Sequence, residues 1–169
     1  PEVFLDVAKR VLSENDAACG LVFGDGPMRE DLKDDAKRFK GRLTFFGDTQ
    51  FPEIAHACLD CLVLTSIWEG FPNVVLEAMA SARPVVAVRM PANEELRVDG
   101  ITGLRVDDDA EAIAAAVARL LAAPEEATLM GLRGRERVLA LYSMDKMVEA
   151  YQNLYGDARK TQCGGRTHD

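Results

Sequence analysis

Two glutamates, Glu69 and Glu77, are the residues of this sequence whose type and spacing best suit chemistry. They lie in the run SIWEGFPNVVLEAMASARPVVA with seven residues between them. Glu69 follows an apolar, strand-like run that ends at Thr65, and Glu77 lies on a helix predicted to begin near Pro72. An ionised carboxylate only accepts hydrogen bonds, whereas every hydroxyl group is a donor. The pair therefore suits a ligand that carries many hydroxyl groups.

The elements that must position these carboxylates alternate between strand and helix. Strands are predicted at 20–23, 43–46, 61–65, 84–88 and 103–106, and helices at about 3–12, 28–39, 52–58, 73–82, 92–97, 110–122, 125–141 and 144–155. Runs such as LVFG and PVVAV are continuously apolar, which is typical of strands buried on both faces. We therefore predict an α/β fold, a Rossmann-like parallel sheet of about five to six strands with helices on both faces. Ligands bind at the carboxyl ends of the strands in such sheets.

Composition limits the classes of function. The 169 residues are enough for one domain with a substantial core, and 48% of them are hydrophobic. The net charge of -8 argues against a general nucleic-acid binder, which would carry a basic patch, so we expect no nucleic-acid partner. No apolar run approaches the ~20 residues that span a bilayer. The chain opens on an amphipathic helix, PEVFLDVAKRVL, so we expect the domain to begin before Pro1.

The cysteines and histidines do not indicate a metal or redox centre. Cys58 and Cys61 form a C-x-x-C pair, but redox pairs open a helix, and this one ends a helix and begins a strand. There is no second pair at zinc-finger spacing, and the chain has only two histidines. We expect reduced thiols that act as small hydrophobic residues in a cytosolic protein. His56, between two alanines of a short helix, is expected to be a partly buried structural histidine.

The run around the two glutamates resembles the donor-site motif of the group 1 glycosyltransferases (glycosyltransferase family 4), which are retaining enzymes of the GT-B fold. The family pattern is Glu-Gly-Phe, a second Glu eight positions after the first with Ala-Met-Ala, and a Pro-Val-Val-Ala strand. These motifs stand here at 69–71, 77–80 and 84–87, and further family landmarks are GDGP at 24–27, FFG at 45–47 and DGITGL at 99–104. Because the landmarks keep the family order and spacing, the resemblance is specific.

The resemblance implies a domain organisation. Residues 1–157 would be the C-terminal, nucleotide-sugar-binding domain without its first strand, and the polar residues 158–169 are predicted to be a disordered tail. The implied partners are a nucleotide-sugar donor, a missing N-terminal GT-B domain and an acceptor glycan or lipid. The nucleotide sugar is a substrate, so we expect no cofactor and no metal. The expected location is cytoplasmic, and any contact with the inner membrane would go through the missing domain.

The resemblance also implies a role for each glutamate. Glu77 would accept hydrogen bonds from the ribose hydroxyls, although helical spacing alone favours a solvent-facing stripe formed with Asn73 and Ser81. Glu69 would lie at the donor sugar and its phosphates. It is our candidate catalytic residue, stabilising the positive charge that develops at the anomeric carbon. The alternative for Glu69 is an ordinary polar loop residue.

The remaining candidates for nucleotide-sugar binding are mainly turn positions. The turn around Gly70 and Phe71 leads into a helix N-terminus, where the first N–H groups lack partners within the helix. We therefore expect the free N–H groups of Asn73 and Val74 to bind the diphosphate. The other candidates are Gly24 and Gly26 of the GDGP turn, and Phe46 and Gly47, which would lie near the nucleotide base. The alternative for the GDGP turn is ordinary turn chemistry.

The predicted function is that of the donor-binding domain of a retaining glycosyltransferase that moves a sugar from a nucleotide-diphosphate sugar to an acceptor hydroxyl. Alone, the chain is expected to be inactive. Two departures bear on this prediction. Ala82-Arg83 stands where the family usually has a Gly, and Pro91-Ala92 replaces a Gly-Gly turn. The alternatives are a non-catalytic nucleotide-sugar-binding module and a receiver-like domain, which is disfavoured because Asp60 precedes its strand instead of ending it.

Overall fold

The computed structural model describes residues 2–90, 96 and 99–163, and for 157–163 it describes the backbone alone. This part of the chain alternates strands and helices as predicted. The strands are β1 Gly20–Phe23, β2 Leu43–Gly47, β3 Leu62–Leu64, β4 Val85–Val88 and β5 Gly103–Val106. The α-helices are α1 Glu2–Glu14, α2 Arg29–Ala36, α3 Pro52–Ala57, α4 Asn73–Ala80, α5 Ala110–Ala122, α6 Pro124–Leu141 and α7 Met144–Cys163. The helix predicted at 92–97 lies outside the described residues except for Leu96.

All strand pairings are parallel, which confirms the predicted α/β class. The strands form two sheets instead of one, a pair in the order β1-β2 and a group of three in the order β3-β4-β5. The five described strands match the lower end of the predicted count.

Strand β4 lies at the centre of the core and has helices on both faces. Val86 and Val88 pack in a cluster with α1, α5 and α6. Val85 and Ala87 point to the opposite face, where they pack with Met79 of α4. All four residues of the strand are buried, as the continuous apolar run PVVAV predicts. This packing fixes α4, the helix that carries Glu77, against the sheet.

The two sheets are separated by a slot between β1 and β3. Within the described residues, β1 pairs only with β2 and β3 pairs only with β4. Helix α1 lies across both sheets, because its Val7 and Val11 join the β4 cluster and its Leu5 and Leu12 pack with Leu43 of β2. Two cavities of about 510 and 350 Å³ fill the slot, and residues of α1, β1 and β3 line both. The facing edges of β1 and β3 are therefore open.

The end of α4 is held by close contact with α6. Ala82 adopts a left-handed backbone with φ 55°, and its N–H donates to the carbonyl of Met79 at 2.9 Å. A Cβ on Gly131 of α6 would lie 2.0 Å from the carbonyl oxygen of Ala82. The close contact therefore requires glycine at position 131. At position 82 the chain has alanine in a backbone conformation that favours glycine, and Ala82-Arg83 is where the family usually has a glycine.

Helix α7 extends beyond the predicted domain boundary. It continues to Cys163, so the backbone of 158–163, expected to belong to a disordered tail, is helical. Residues 164–169 of that predicted tail lie outside the described residues. In the described part of the chain, no helix has the length and apolar character needed to cross a bilayer.

Candidate functional site

The larger cavity of the slot opens where β1 and β3 end, as expected for a ligand site in a parallel sheet. Gly24 follows β1 and contributes to its lining, and Thr65 and Ser66, which follow β3, contribute two hydroxyl groups. Val74 and Glu77 line it from α4. The structure therefore brings together three of the predicted site residues, Gly24, Val74 and Glu77.

Glu77 is one of two carboxylate residues that line this cavity, and the other is Asp48. Its side chain is 46% exposed, and one oxygen, Oε2, lies 3.2 Å from Nε2 of His56 on α3. The neighbouring residues of α4, Val75 and Ala78, are fully buried, so the helix has one buried and one open face. The predicted polar stripe is present, because Asn73 and Glu77 are exposed and Ser81 is partly exposed.

His56 is a site residue that sequence reasoning underestimated. It is 5% exposed, and it lines the same cavity as Glu77. Its Nδ1 is buried and has no hydrogen-bond partner in the part of the chain that the structure describes. The signal in the sequence was weak, because His56 and Glu77 lie on different helices separated by a strand and a loop.

The N-terminus of α4 corrects one premise of the sequence analysis. Pro72 is the N-cap and Asn73 the first helical residue. The N–H of Asn73 donates to the carbonyl of Phe71 at 3.0 Å, so it is not free for a phosphate. The N–H of Val74 has no hydrogen-bond partner among the described residues. Of the two predicted diphosphate donors, only Val74 offers an open N–H here, because the tight turn at Pro72 engages the other.

The GDGP turn meets the end of β2 through the backbone. Gly24 N–H donates to the carbonyl of Gly47 at 2.7 Å, and both glycines have positive φ, 112° and 78°. These left-handed conformations explain why glycine stands at both positions. Asp25 accepts hydrogen bonds from Gly26 N–H at 2.7 Å and from Arg29 Nη1 at 3.0 Å. The turn therefore has the structural role that the sequence analysis kept as its alternative.

Arg29 brings a cation to this edge of the sheet, and sequence reasoning missed it. Its guanidinium covers Gly47 so closely that a Cβ there would lie 3.1 Å from Nη2. The side chain of Arg29 is only partly exposed, and it forms an ion pair with Asp25 of the GDGP turn. Little in the sequence indicated this pair, because Asp25 lies in the turn and Arg29 is the first residue of α2.

The predicted aromatic residues lie in different environments. Phe46 is exposed and stacks on Phe23, with ring centroids 4.9 Å apart and an interplanar angle of 12°. This stack forms a flat apolar surface next to Gly47. Phe71 instead packs at a tilt against Tyr142, with centroids 6.5 Å apart. Phe71 thus anchors its loop to the end of α6 while half of its surface stays open.

The predicted catalytic residue, Glu69, lies in the loop between β3 and α4 and is partly exposed. It does not line the cavity that Glu77 and His56 share, and neither does Gly70. Its neighbour Trp68 is 91% exposed. Gly26 is also exposed, with open space where a side chain would stand. The Pro91-Ala92 departure lies outside the described residues.

The DGITGL landmark has a packing explanation. A Cβ on Gly103 would lie 2.3 Å from the carbonyl oxygen of Val85, so only glycine allows β5 to approach β4 this closely. Asp99 Oδ1 accepts a hydrogen bond from the N–H of Arg105 at 2.8 Å, which closes the turn before the strand. The landmark therefore positions β5.

The three described cysteines are free thiols, as the sequence analysis expected. Burial, with a smaller contribution from the Asp60 carboxylate, raises the pKa of Cys61 to about 11. Cys61 is therefore a protonated, unreactive thiol at neutral pH, whereas Cys58 is exposed.

Comparison with known proteins identifies similar sequences. The sequence model of the family described as "Glycosyl transferases group 1" matches residues 1–123. The lipopolysaccharide core biosynthesis glycosyltransferase LpsE of Rhizobium meliloti is 32% identical over 136 residues, which cover 79% of this chain and 40% of LpsE. This chain thus spans less than half the length of that relative.

Solved structures share the fold. A TarM mutant of S. aureus, in complex with fondaparinux, alpha-GlcNAc-glycerol and UDP, superimposes with a TM-score of 0.85 at 23% identity, over 91% of this chain and 32% of TarM. The C-terminal domain of a group 1 family glycosyltransferase, LpcC from Francisella tularensis, gives a TM-score of 0.75 at 25% identity. That match covers 84% of this chain and 78% of the LpcC domain.

Proposed function

Because this chain belongs to the group 1 glycosyltransferase family, we propose that it binds the nucleotide-diphosphate sugar of a retaining glycosyltransferase. The complete enzyme would transfer the sugar to an acceptor hydroxyl, and this chain would form its donor-binding, C-terminal GT-B domain. Relatives act in lipopolysaccharide core biosynthesis, so a glycan or glycolipid is the acceptor class we propose.

The observation that carries the proposal is the half-exposed carboxylate of Glu77 at the cavity where two parallel strands end. A ribose presents two adjacent hydroxyl groups, and both can donate to the two oxygens of one carboxylate. The arrangement suits a nucleoside, because hydrogen bonds to a charged acceptor are stronger than those between neutral groups.

The diphosphate is placed at the start of α4. Val74, whose N–H is open, is one of the residues that line the cavity, and the positive end of the helix dipole favours an anion there. A base could then lie on the exposed ring of Phe46, which is already stacked on Phe23. The resemblance also implies an Arg and a Lys that hold the diphosphate, at the end of a strand that would precede Pro1, so Val74 would be only one contributor.

For transfer, the bond between the anomeric carbon and the diphosphate breaks, and the nucleoside diphosphate leaves with the bonding electrons. Hydrogen-bond donors at the phosphates would stabilise that leaving group, so the proposal requires neither a metal nor a cofactor. Glu69 is the residue we propose to stabilise the positive charge at the anomeric carbon. The acceptor oxygen then bonds to that carbon on the face that the diphosphate left, as the resemblance to a retaining family implies, and the hydroxyl proton passes to a phosphate oxygen of the leaving nucleoside diphosphate.

We also propose that the slot between β1 and β3 holds one more parallel strand, from the segment that precedes Pro1 in the complete protein. The open facing edges of β1 and β3 and the position of α1 across both sheets support it. A strand followed by α1 and then β1 is a standard right-handed crossover, and it gives the strand order of a Rossmann fold.

Hydrogen exchange tests this strand. A short apolar extension before Pro1 should protect the amides of β1 and β3, and a Gly-Ser extension of equal length should not. Equal protection with both extensions would contradict the proposal.

Without the facing domain, this chain alone should transfer no sugar, which an assay with a radiolabelled UDP-sugar can check.

Calorimetric titration with UDP and GDP tests the donor-binding function. Replacing Glu77 with alanine removes the acceptor for the ribose hydroxyls and should weaken binding by about 1.5–3 kcal/mol, roughly ten- to hundredfold. Glu77→Gln keeps the shape and should lose less. Ser81→Ala, at the C-cap of α4 and on the same polar stripe, is the matched control and should leave the affinity unchanged. Unchanged affinity in Glu77→Ala would exclude the ribose assignment.

The second candidate function is a non-catalytic binding module of the same fold. The observation that favours it is Pro91-Ala92, because a proline has no N–H to offer where the family has two glycines. A complete protein that binds UDP-sugar but neither hydrolyses it nor transfers the sugar would support the module.

A further inference from the structure

His56 is a buried polar residue placed directly behind the proposed ribose acceptor. Its side chain is 6% exposed, and its Nε2 lies 3.2 Å from Oε2 of Glu77. Both residues line the 510 Å³ cavity, but His56 belongs to α3 and Glu77 to α4. The contact therefore joins two helices at a point where a carboxylate lines the cavity.

The surroundings of His56 indicate which of its ring nitrogens carries a hydrogen. A carboxylate is only an acceptor, so Nε2 must carry the hydrogen that faces Glu77. Nδ1 is buried and has no partner in the described part of the chain, so a hydrogen there would have no acceptor. The arrangement fits an imidazole that donates from Nε2 to Glu77.

This hydrogen bond restricts the Glu77 carboxylate. A glutamate side chain on an open helix face can adopt several rotamers, and fixing it costs conformational entropy that a ligand would otherwise have to supply. The bond to His56 uses one lone-pair direction of Oε2, and it leaves Oε1 and the rest of Oε2 able to accept hydrogen bonds from a ligand. Two adjacent hydroxyl groups would meet an acceptor that is already oriented.

We propose that His56 is a positioning residue that orients Glu77 for the two ribose hydroxyls of the nucleotide donor. The proposal rests on the proposed function of Glu77 and adds the residue that prepares it. A purely structural histidine would instead support the packing of α3 on α4 and would act on every ligand of the cavity equally.

The test compares UDP with 2′,3′-dideoxy-UDP, which lacks both hydroxyl groups, by titration calorimetry. His56→Leu removes the donor and should weaken UDP binding about tenfold while changing dideoxy-UDP binding less than about twofold. His56→Gln can place an amide N–H near the position of Nε2 and should restore most of the UDP affinity. His56→Asn reaches only the position of Nδ1 and should not. Thermal unfolding followed by circular dichroism verifies that each variant is folded.

The outcomes separate the proposal from its premise. If Glu77→Ala leaves UDP affinity unchanged, the ribose assignment itself fails. If Glu77→Ala weakens UDP but His56→Leu does not, the positioning role alone fails. Equal losses of UDP and dideoxy-UDP affinity in His56→Leu would also overturn it, because they indicate general disruption of the cavity. The double variant His56→Leu/Glu77→Ala should bind UDP no more weakly than Glu77→Ala.

Discussion

Replacing Gly131 with alanine should destabilise this domain through a contact that also positions the proposed nucleotide site. The added Cβ would lie 2.0 Å from the carbonyl oxygen of Ala82, at the end of the helix that carries Glu77. Ordinary van der Waals contacts of a Cβ begin near 3.4 Å. The backbone of α6 or that of Ala82 must therefore move by more than 1 Å to accept the new methyl group. Overpacking of this kind costs about 3 kcal/mol, and the higher helix propensity of alanine returns about 1 kcal/mol. We therefore expect a net loss of about 2 kcal/mol.

Gly156 provides the matched control for this experiment. It also lies in a helix, but a Cβ there meets no heavy atom within 4 Å. Gly156→Ala should therefore leave stability unchanged or raise it by up to about 1 kcal/mol. Urea unfolding followed by circular dichroism measures both variants. The packing of α6 on α4 would be refuted if Gly131→Ala were as stable as Gly156→Ala.

Three further predictions concern single positions. Ala82→Gly should stabilise the fold by about 1 kcal/mol, raising Tm by roughly 2–4 °C, because φ 55° favours glycine; an unchanged Tm would contradict the strain. The thiol of Cys61 has a pKa near 9 in the unfolded chain and about 11 in the folded one. As the pH rises from the first value toward the second, the free energy of unfolding of the wild type should fall by up to about 2 kcal/mol. The fall occurs because the unfolded state releases the thiol proton at a lower pH than the folded state. In Cys61→Ala, the free energy of unfolding measured with urea should therefore change less between pH 9 and 11, and an unchanged pH dependence would contradict this prediction. Val74→Pro removes the open N–H and should weaken UDP binding more than uridine binding. Asn73→Pro removes an N–H that is already bonded to a carbonyl, so it should weaken UDP binding less than Val74→Pro does. Equal losses of UDP affinity in the two variants would contradict the assignment of the phosphate to Val74.

The order and class of the elements could be predicted because they depend on local patterns. The bounds 20–23 and 103–106 of two strands match the structure, and the continuous apolar character of 85–88 correctly indicates burial on both faces. The cysteines could also be interpreted correctly, since C-x-x-C placed between a helix and a strand lacks the helix N-terminus that lowers a thiol pKa. In each of these cases the deciding interaction lies within a few residues.

The errors arise where the outcome depends on a contact between distant residues or on one torsion angle. The N–H of Asn73 appeared free because helix starts leave such groups open, but the ψ of 85° at Pro72 lets it reach the carbonyl of Phe71. The partner of Glu77 lies 21 residues away on another helix. No periodicity links His56 to Glu77, because the sheet and its crossovers, rather than helical spacing, bring them together.

Strands β1 and β3 are as apolar in sequence as β4, yet every residue of both is only partly buried, whereas all of β4 is buried. This difference is explained if their open edges belong beside the strand proposed for the slot. The cavity that His56 and Glu77 line extends into this slot, so the inserted strand would occupy its part between β1 and β3 and would form a wall of the nucleotide site at the strand ends. A segment that completes the sheet would then raise nucleotide affinity through the shape of the cavity as well as through stability. His56 and Glu77, which are already bonded in this chain, would be the part of the site that does not depend on it.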